Sequence, residues 1–200
     1  MLPETVIAKY YEPYTRLWNI LVTHSRSVAD LAVAIVDAHP ELAADRQFVF
    51  EAAMLHDIGI IGTNAPDLGC FGDKPYICHG TIGSEMLRSE GLPLHALVAE
   101  RHTGSGLSLD YILANDLPVP HRDLLPVSVE EKIVCYADKF FSKTKHLTVM
   151  KSYEKALKSC AKYGDESRER FLDMDKLFRI PEIKPSEPDN AQTQNITTEK

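Results

Sequence analysis

The sequence predicts an all-α protein, a bundle of helices around one apolar core. Apolar residues recur at three- and four-residue spacing in several segments, which is the period of a helix with one buried face. Segments with the alternating pattern of a strand are not convincing anywhere along the sequence. With 200 residues, 44% of them hydrophobic, the chain is long enough for one domain with a sizeable core.

The first two predicted helices each carry a histidine on the core-facing side. Residues 14–38 have a continuous apolar stripe, and His24 falls on that stripe. Asp45 is the predicted N-cap of the second helix, because a short acidic side chain there can accept a backbone N–H. Glycines follow the pair His56-Asp57, so we expect the second helix to end at that pair.

The remaining chain continues the helical pattern after one long interruption. Residues 58–78 are rich in Gly, Pro, Asn and Asp, and loops of that length in a compact domain are usually functional. Ser128 and Glu131 form a predicted capping box, and Asp138 falls in the middle of the helix that it begins. Further helices are expected at 79–89, 93–102, 108–115, 128–143, 149–163 and 166–178.

The segments group into one principal domain and two appendages. We expect a bundle domain over 1–148 and a C-terminal helical extension over 149–180. Residues 181–200 are polar and low in apolar side chains, which predicts a disordered tail.

Composition narrows the possible partners. The net charge is −7, so no basic surplus indicates nucleic acid as a partner. The four cysteines lack CxxC spacing, which is typical of reduced thiols in a cytoplasmic protein. We expect no signal peptide and no membrane partner, because the longest uninterrupted apolar run is far shorter than a membrane span. Oligomeric state has no signature in the sequence.

Six residues with metal-binding side chains stand in or beside the predicted helices. Polar groups at core-facing positions cost free energy unless something pairs with them, and a metal ion pairs with imidazole and carboxylate together. A single histidine such as His24 is more often just packed in the core, so the argument depends on the set. Its members are His24, His56, Asp57, His79, His102 and Asp138.

Several strings around these residues resemble the HD-domain superfamily. THSRSVADLA contains His24, AAMLHDIGI contains His56-Asp57, and CYADKF contains Asp138. LHDIG is the label of the HDIG subgroup. CHGTIGSEML and AERHTGSG, at His79 and His102, resemble members with a binuclear metal centre. The set is most similar to uncharacterised archaeal HDIG proteins, and it is also similar to bacterial HD enzymes that split diadenosine tetraphosphate.

The resemblance implies an all-α HD bundle that works as a metal-dependent phosphohydrolase. Its expected substrate is a phosphoester or phosphoanhydride of a small, nucleotide-like molecule. Two divalent ions (Fe, Mn, Ni, Co or Zn) would hold a hydroxide between them, with Asp57 as the catalytic residue that bridges them. Two alternatives stay open: a di-iron oxygenase of the HD type, and a non-catalytic nucleotide-binding regulator.

The sequence departs from the frequent family pattern directly after HDIG. Many HDIG strings continue with a lysine that can contact a phosphate, whereas this chain has Ile60. Lys74, Arg101 and Lys139 are the candidate substrate-binding replacements, and each is equally well explained as a solvated charge. The lysines after Asp138 are expected first on the solvated face of the C-terminal helices, and a groove for an anionic substrate is the alternative. They are Lys139, Lys143, Lys145, Lys151, Lys155, Lys158 and Lys162.

Overall fold

A computed structural model describes residues 2–144 and 146–180 of the chain, and the predicted disordered tail over 181–200 lies outside the described residues. The all-α prediction is confirmed. The helices of the described residues are α1 (Pro3–Ile7), α2 (Arg16–Ala38), α3 (Arg46–Leu55), α4 (His79–Ser89), α5 (Pro93–Arg101), α6 (Leu109–Ala114), α7 (Val129–Asp138), α8 (Tyr153–Ala161) and α9 (Asp165–Phe178).

Short polar side chains start the helices that carry the site. The Asp45 carboxylate accepts the Phe48 N–H at 3.0 Å, as the sequence predicts for the start of α3. The Ser128 hydroxyl likewise accepts the N–H of Glu131 at 3.2 Å at the start of α7. The Glu131 carboxylate accepts the N–H of Val127 at 2.9 Å, so the capping residues satisfy two N–H groups there.

Helix α2 lies at the centre of the core. Its apolar stripe packs against α3 and α7, and small residues such as Ala52 and Ala53 let these helices approach closely. Helices α8 and α9 join the same apolar cluster, where the Phe171 ring of α9 stacks on the Tyr136 ring of α7 at 5.3 Å. The predicted C-terminal extension therefore shares the core of the principal domain.

Helix α2 is also the one described helix that is long and apolar enough to cross a membrane. It has 23 residues, and the mean hydropathy of its best window is 1.2. Half of that window is buried inside the protein, as expected for the core helix of a bundle.

The structure differs from the sequence prediction in three places. Helix α1, which has five residues, was not predicted from the sequence. Residues 58–78 contain a two-residue antiparallel pair, β1 (Asn64–Ala65) and β2 (Cys70–Phe71), besides 3₁₀ turns. Helix α7 ends at Asp138 instead of continuing to 143, so Asp138 is its last residue and does not lie mid-helix.

The early end of α7 has a visible cause. The Lys151 ammonium donates to the carbonyls of Lys139 and Phe141, and the Lys151 N–H donates to the Phe140 carbonyl at 2.7 Å. These donors satisfy carbonyl groups that a continued helix would otherwise have bonded. Residues 139–144 therefore turn away from the helix axis, which decides where the following lysines lie.

Candidate metal centre

All six predicted metal ligands come together in the interior. They reach one place from five parts of the chain, and even the most accessible of them, Asp138, is only 7% exposed. The contributions are His24 from the middle of α2, His56-Asp57 after α3, His79 at the start of α4, His102 after α5 and Asp138 at the end of α7.

The first group of ligand atoms comes from His24, His56, Asp57 and Asp138. His24 Nε2 lies 3.1 Å from Asp138 Oδ1 and 3.2 Å from Asp57 Oδ2. His56 Nε2 lies 3.1 Å from the same Asp57 oxygen. All four ligand atoms lie within 4.8 Å of one another, so they could hold one metal ion.

The second group comes from Asp57, His79 and His102. Asp57 Oδ1 lies 3.5 Å from His79 Nε2 and 3.3 Å from His102 Nε2, and the two imidazole nitrogens are 3.0 Å apart. The two oxygens of Asp57 therefore face different groups of histidines. This arrangement suits a carboxylate that bridges two ions.

Two features of the atoms fit divalent cations. An ion bound at about 2.0–2.2 Å in tetrahedral geometry separates its ligand atoms by about 3.3–3.6 Å, close to the distances in both groups. Moreover, His56 Nε2 and Asp57 Oδ1 are buried without a hydrogen-bond partner of acceptable geometry. Buried polar atoms seldom stay unsatisfied, and a cation at each group would satisfy both.

Three of the four histidines are held in the correct tautomer by the backbone. In each of them Nδ1 contacts the carbonyl three residues earlier, and because a carbonyl can only accept, Nδ1 must carry the proton. Nε2 is then the nitrogen that faces the centre, as a metal ligand requires. The contacts are His56 to Ala53 at 2.6 Å, His79 to Tyr76 at 2.7 Å and His102 to Ala99 at 2.7 Å. On His56, burial lowers the pKa but the carboxylates of Asp57 and Asp138 raise it to about 9, so a metal ion would displace a proton from Nε2 there.

Burial and neighbouring charges set the protonation of the ligands. Burial and the nearby His102 lower the pKa of His79 to about 3, so this imidazole is neutral at neutral pH. Burial opposes ionisation of Asp57, but the charges of His56 and Lys143 outweigh it and hold the Asp57 pKa well below its usual range. At neutral pH both side chains are therefore in the form that binds a metal ion.

The turn after Asp57 is fixed from both sides. The Tyr11 hydroxyl donates to the Ile58 carbonyl at 2.6 Å and accepts the Ile61 N–H at 3.1 Å. On the other side, a Cβ at Gly59 would lie 2.1 Å from the His79 carbonyl oxygen, so only glycine lets the turn lie against α4. These contacts connect the ligands after α3 with the ligand at the start of α4.

The isoleucine after HDIG belongs to the core. Ile60 is fully buried in an apolar cluster with Ile7, Tyr11 and Leu87. This position therefore has no access to a phosphate.

The three candidate substrate-binding residues lie in different surroundings. Lys139 Nζ lies 2.7 Å from Asp138 Oδ2 and donates to the His102 carbonyl at 2.9 Å, so it connects the two ligand groups. Arg101 points toward Glu131, which accepts its N–H at 2.9 Å. Lys74 pairs with its neighbour Asp73 at 3.6 Å in a solvated position.

A lysine cleft of about 590 Å³ opens next to the first ligand group. Its walls include Asp138, Tyr76 and the segment 64–68, and its basic residues are Lys139, Lys143, Lys151 and Lys162. Four ammonium groups around one opening create a positive potential in a chain of net charge −7.

The expectation that these lysines form a solvated face is wrong for Lys139 and Lys143. Lys139 is 8% exposed, and Lys143 Nζ lies 2.8 Å from Asp57 Oδ2 with 16% of its side chain exposed. The reason is that both ammonium groups pair with carboxylates of the first ligand group, Lys139 with Asp138 and Lys143 with Asp57.

No sequence pattern indicated a role for Tyr76, whose ring stacks on His79 at 4.7 Å, and the sequence did not single out Lys143 from the other lysines after Asp138. The one available signal was that Tyr76 lies within the 58–78 segment, which was expected to be functional.

Comparisons with known proteins identify the family of this chain. The model of the HD domain family matches residues 21–142, which include all six ligands. Uncharacterized protein MJ0778 of Methanocaldococcus jannaschii is 34% identical over 143 residues, covering 68% of this chain and 77% of that protein. This match confirms the predicted resemblance to uncharacterised archaeal proteins.

Two further relatives are much longer than the matched segment. Both are named tRNA (cytidine(56)-2'-O)-methyltransferase. The one from Picrophilus torridus is 32% identical over 125 residues, which is 62% of this chain and 32% of that protein. The one from Thermoplasma volcanium is 30% identical over 161 residues, which is 80% of this chain and 42% of that protein. The chain thus spans less than half the length of these two relatives.

Among solved structures, the HD domain of the L. monocytogenes phosphodiesterase PgpH aligns with a TM-score of 0.48 at 20% identity, over 84% of this chain and 90% of that one. The family match covers more than half of the chain, and the archaeal relative exceeds 30% identity over two thirds of it. The chain belongs to the HD-domain family.

Proposed function

We propose that this protein is a metal-dependent phosphohydrolase that cleaves a phosphoester or phosphoanhydride bond of a small, nucleotide-like substrate. One observation carries the proposal: the two oxygens of Asp57 face separate histidine groups, and a lysine-lined cleft reaches Asp138 of the same centre. Membership of the HD-domain family supports the same reaction class.

The donor set fits two divalent cations, with Asp57 shared between them. Cations held there would supply Lewis acidity toward phosphoryl oxygens and make water a competent nucleophile at neutral pH. The protein positions the ligands before any substrate arrives, because three histidines are fixed by backbone carbonyls and the turn after Asp57 is held by Tyr11.

The lysine cleft supports an anionic substrate. Its ammonium groups attract a phosphate electrostatically, and Lys143 is the one whose Nζ lies closest to Asp57, at 2.8 Å. The long flexible stem of lysine lets the same ammonium reach phosphoryl oxygens in the cleft. Lys139 instead holds Asp138 and the His102 carbonyl in place.

We do not propose methyltransferase activity for this chain. The two methyltransferase-named relatives are matched over 32% and 42% of their length. The proposal of hydrolysis depends instead on the two groups of metal-binding residues that lie together in this chain.

The test is a substrate panel with metal-loaded protein. The purified protein is stripped, reloaded separately with Mn, Fe, Co, Ni or Zn, and assayed for phosphate or alcohol release from nucleotides and simple phosphoesters. We expect turnover with at least one metal and none in Asp57→Asn.

The matched control is His95→Gln, since His95 is a buried histidine outside both ligand groups that pairs with Glu51 at 3.4 Å. This control should keep its turnover. A protein that binds two ions yet hydrolyses nothing in the panel contradicts the proposal, and oxygen consumption by the iron form alone supports the oxygenase alternative.

A further inference from the structure

The C-terminal helix α9 reaches back to the 103–106 loop. The Arg170 guanidinium donates from Nε to the Ser105 carbonyl and from Nη2 to the Gly106 carbonyl, each at 3.0 Å. The Ser167 hydroxyl, one turn earlier on the same helix, accepts the Ser105 N–H at 3.1 Å. Three backbone groups of this loop are therefore satisfied by side chains that lie 62 to 65 residues further along the chain.

The loop is a tight turn with buried carbonyl groups. The Gly106 N–H donates to the Thr103 carbonyl at 2.9 Å, and Gly104 has a φ of +60°, which glycine adopts at little cost. Ser105 and Gly106 are both buried, so their carbonyl groups need donors from inside the protein. The guanidinium of α9 supplies these donors, and without it the turn would have to rearrange to find others.

The loop begins directly after a ligand of the second group, His102. The Nδ1 of this histidine is held by the Ala99 carbonyl at 2.7 Å, and its own carbonyl accepts from Lys139 Nζ at 2.9 Å. Cys135 Sγ lies 3.5 Å from the same carbonyl oxygen and 3.6 Å from that of Gly104. The position of the imidazole depends on the backbone on both sides of the residue, and the loop held by α9 is the C-terminal side.

We propose that Arg170 is a positioning residue for the second ligand group: by holding the 103–106 loop, it places His102 for the ion that this histidine would share with Asp57 and His79. Arginine suits this role because its rigid fork of N–H donors can bond two neighbouring carbonyl groups at once. The first ligand group should not depend on Arg170, because none of its side chains belongs to α5 or to the loop.

This inference rests on the metal centre of the proposed function and does not depend on which reaction the centre catalyses. It also gives the C-terminal helices a role in the site, since α9 lies outside the segment that carries the six ligands. Ion binding alone can therefore test it.

The experiment titrates the metal-free protein with Co²⁺ and follows the visible absorption of the bound ion. For Arg170→Ala we expect the Kd of the weaker ion to rise about tenfold, as for other residues that orient metal ligands, and the Kd of the tighter ion to stay as in wild type. Arg170→Lys should be intermediate, because an ammonium keeps the charge but lacks the fixed fork. Ser167→Ala, which removes one of the three contacts, should act in the same direction with a smaller change.

Arg179→Ala is the matched control. Arg179 directly follows α9, where its Nε donates to Asp175 at 3.0 Å and its guanidinium lies over the Tyr153 ring at 4.5 Å, so its partners belong to α8 and α9 rather than to the loop. Urea denaturation of the metal-free proteins measures how much each variant destabilises the fold. A merely structural role predicts that the Kd rises with the loss of stability in both variants, whereas positioning predicts a rise in Arg170→Ala only.

Free guanidinium provides a second readout. The Arg170 side chain is 26% exposed and its Nη1 lies 3.3 Å from the exposed Glu166 carboxylate, so the space left by Arg170→Ala opens to solvent. Guanidinium chloride at a non-denaturing concentration should lower the raised Kd of this variant, and sodium chloride at equal ionic strength should not. If Arg170→Ala does not fold, Arg170→Lys and Ser167→Ala carry the test.

The outcomes separate this inference from the function on which it rests. If the Kd of the weaker ion is the same in Arg170→Ala and wild type, or rises alike in Arg170→Ala and Arg179→Ala, the positioning role is overturned and the hydrolase proposal stands. A wild-type protein that binds no Co²⁺ overturns both. A protein that binds both ions as expected but hydrolyses nothing supports the positioning role and contradicts only the proposed reaction.

Discussion

The two ligand groups differ in how completely the protein surrounds a cation. The first group offers four side chains, one of which, His24, comes from the middle of the long core helix α2. The second offers three, and both of its histidines stand at helix ends. Closed tetrahedral sites are typical of structural metal ions, whereas sites with three protein ligands keep a position for water or substrate.

This difference suggests that ions at the two groups would differ in affinity and in role. An ion at the first group would be held tightly and would fix Asp57. An ion at the second group would bind more weakly, because three protein side chains rather than four would hold it. Asp57 is the residue that both groups share. The size of a substitution's effect on metal content should therefore depend on whether it changes Asp57, one of the two groups or neither.

The largest effect is expected at the shared residue. Asp57→Asn removes the charge and one of the two metal-binding oxygens, so both ions should be lost, and turnover should fall by more than about a thousandfold because metal catalysis contributes several kcal/mol. Metal analysis and initial rates measure this. The control is Asp37→Asn, an exposed aspartate paired with Arg46, which should behave as wild type. Retention of both ions by Asp57→Asn would contradict the bridging role.

A chelator should reveal the difference between the groups directly. Because the second group has fewer ligands, we expect its ion to leave at a lower chelator concentration and the ion of the first group to leave later. Loss of the tighter ion should also lower the stability, by about 2.7 kcal/mol if the free metal concentration was a hundred times its Kd. Metal content and melting temperature are followed together. Release of both ions in a single step, with equal affinities, would contradict the expected difference in affinity between the two groups.

The smallest effect is expected away from the ligands, at Tyr11. Tyr11→Phe keeps the ring but leaves the buried Ile58 carbonyl and Ile61 N–H without their shared partner. We expect the free energy of unfolding of the metal-free protein to fall by about 1–3 kcal/mol in urea denaturation. Tyr14→Phe is the matched control, because Tyr14 is 88% exposed. Equal stabilities for the two variants would show that the Tyr11 hydroxyl does not hold the turn.

The sequence predicted the parts of this molecule that depend on local patterns. The apolar stripe of α2 and the N-caps Asp45 and Ser128 are short-range signals, and the structure has the helices that they predict. The ligand set was predicted because its strings resemble a known family, and all six side chains meet in the interior.

The rest depended on contacts between distant residues. The end of α7 is fixed by the Lys151 side chain, 13 residues after Asp138, and no pattern within the helix indicates it. The inward position of Lys143 follows from where α7 ends. Because the sequence does not indicate that end, this lysine was expected to be a solvated charge. The stacking of Tyr76 on His79 likewise needed the conformation of the 58–78 segment.

The most direct test of the account is a metal count on His79→Ala. Wild-type protein should contain about two ions per chain and this variant about one, because it removes a ligand from the second group only. His95→Ala, a buried histidine outside both groups, should keep about two. An unchanged count in His79→Ala, or a wild-type protein that binds one ion at saturation, would contradict a paired centre bridged by Asp57.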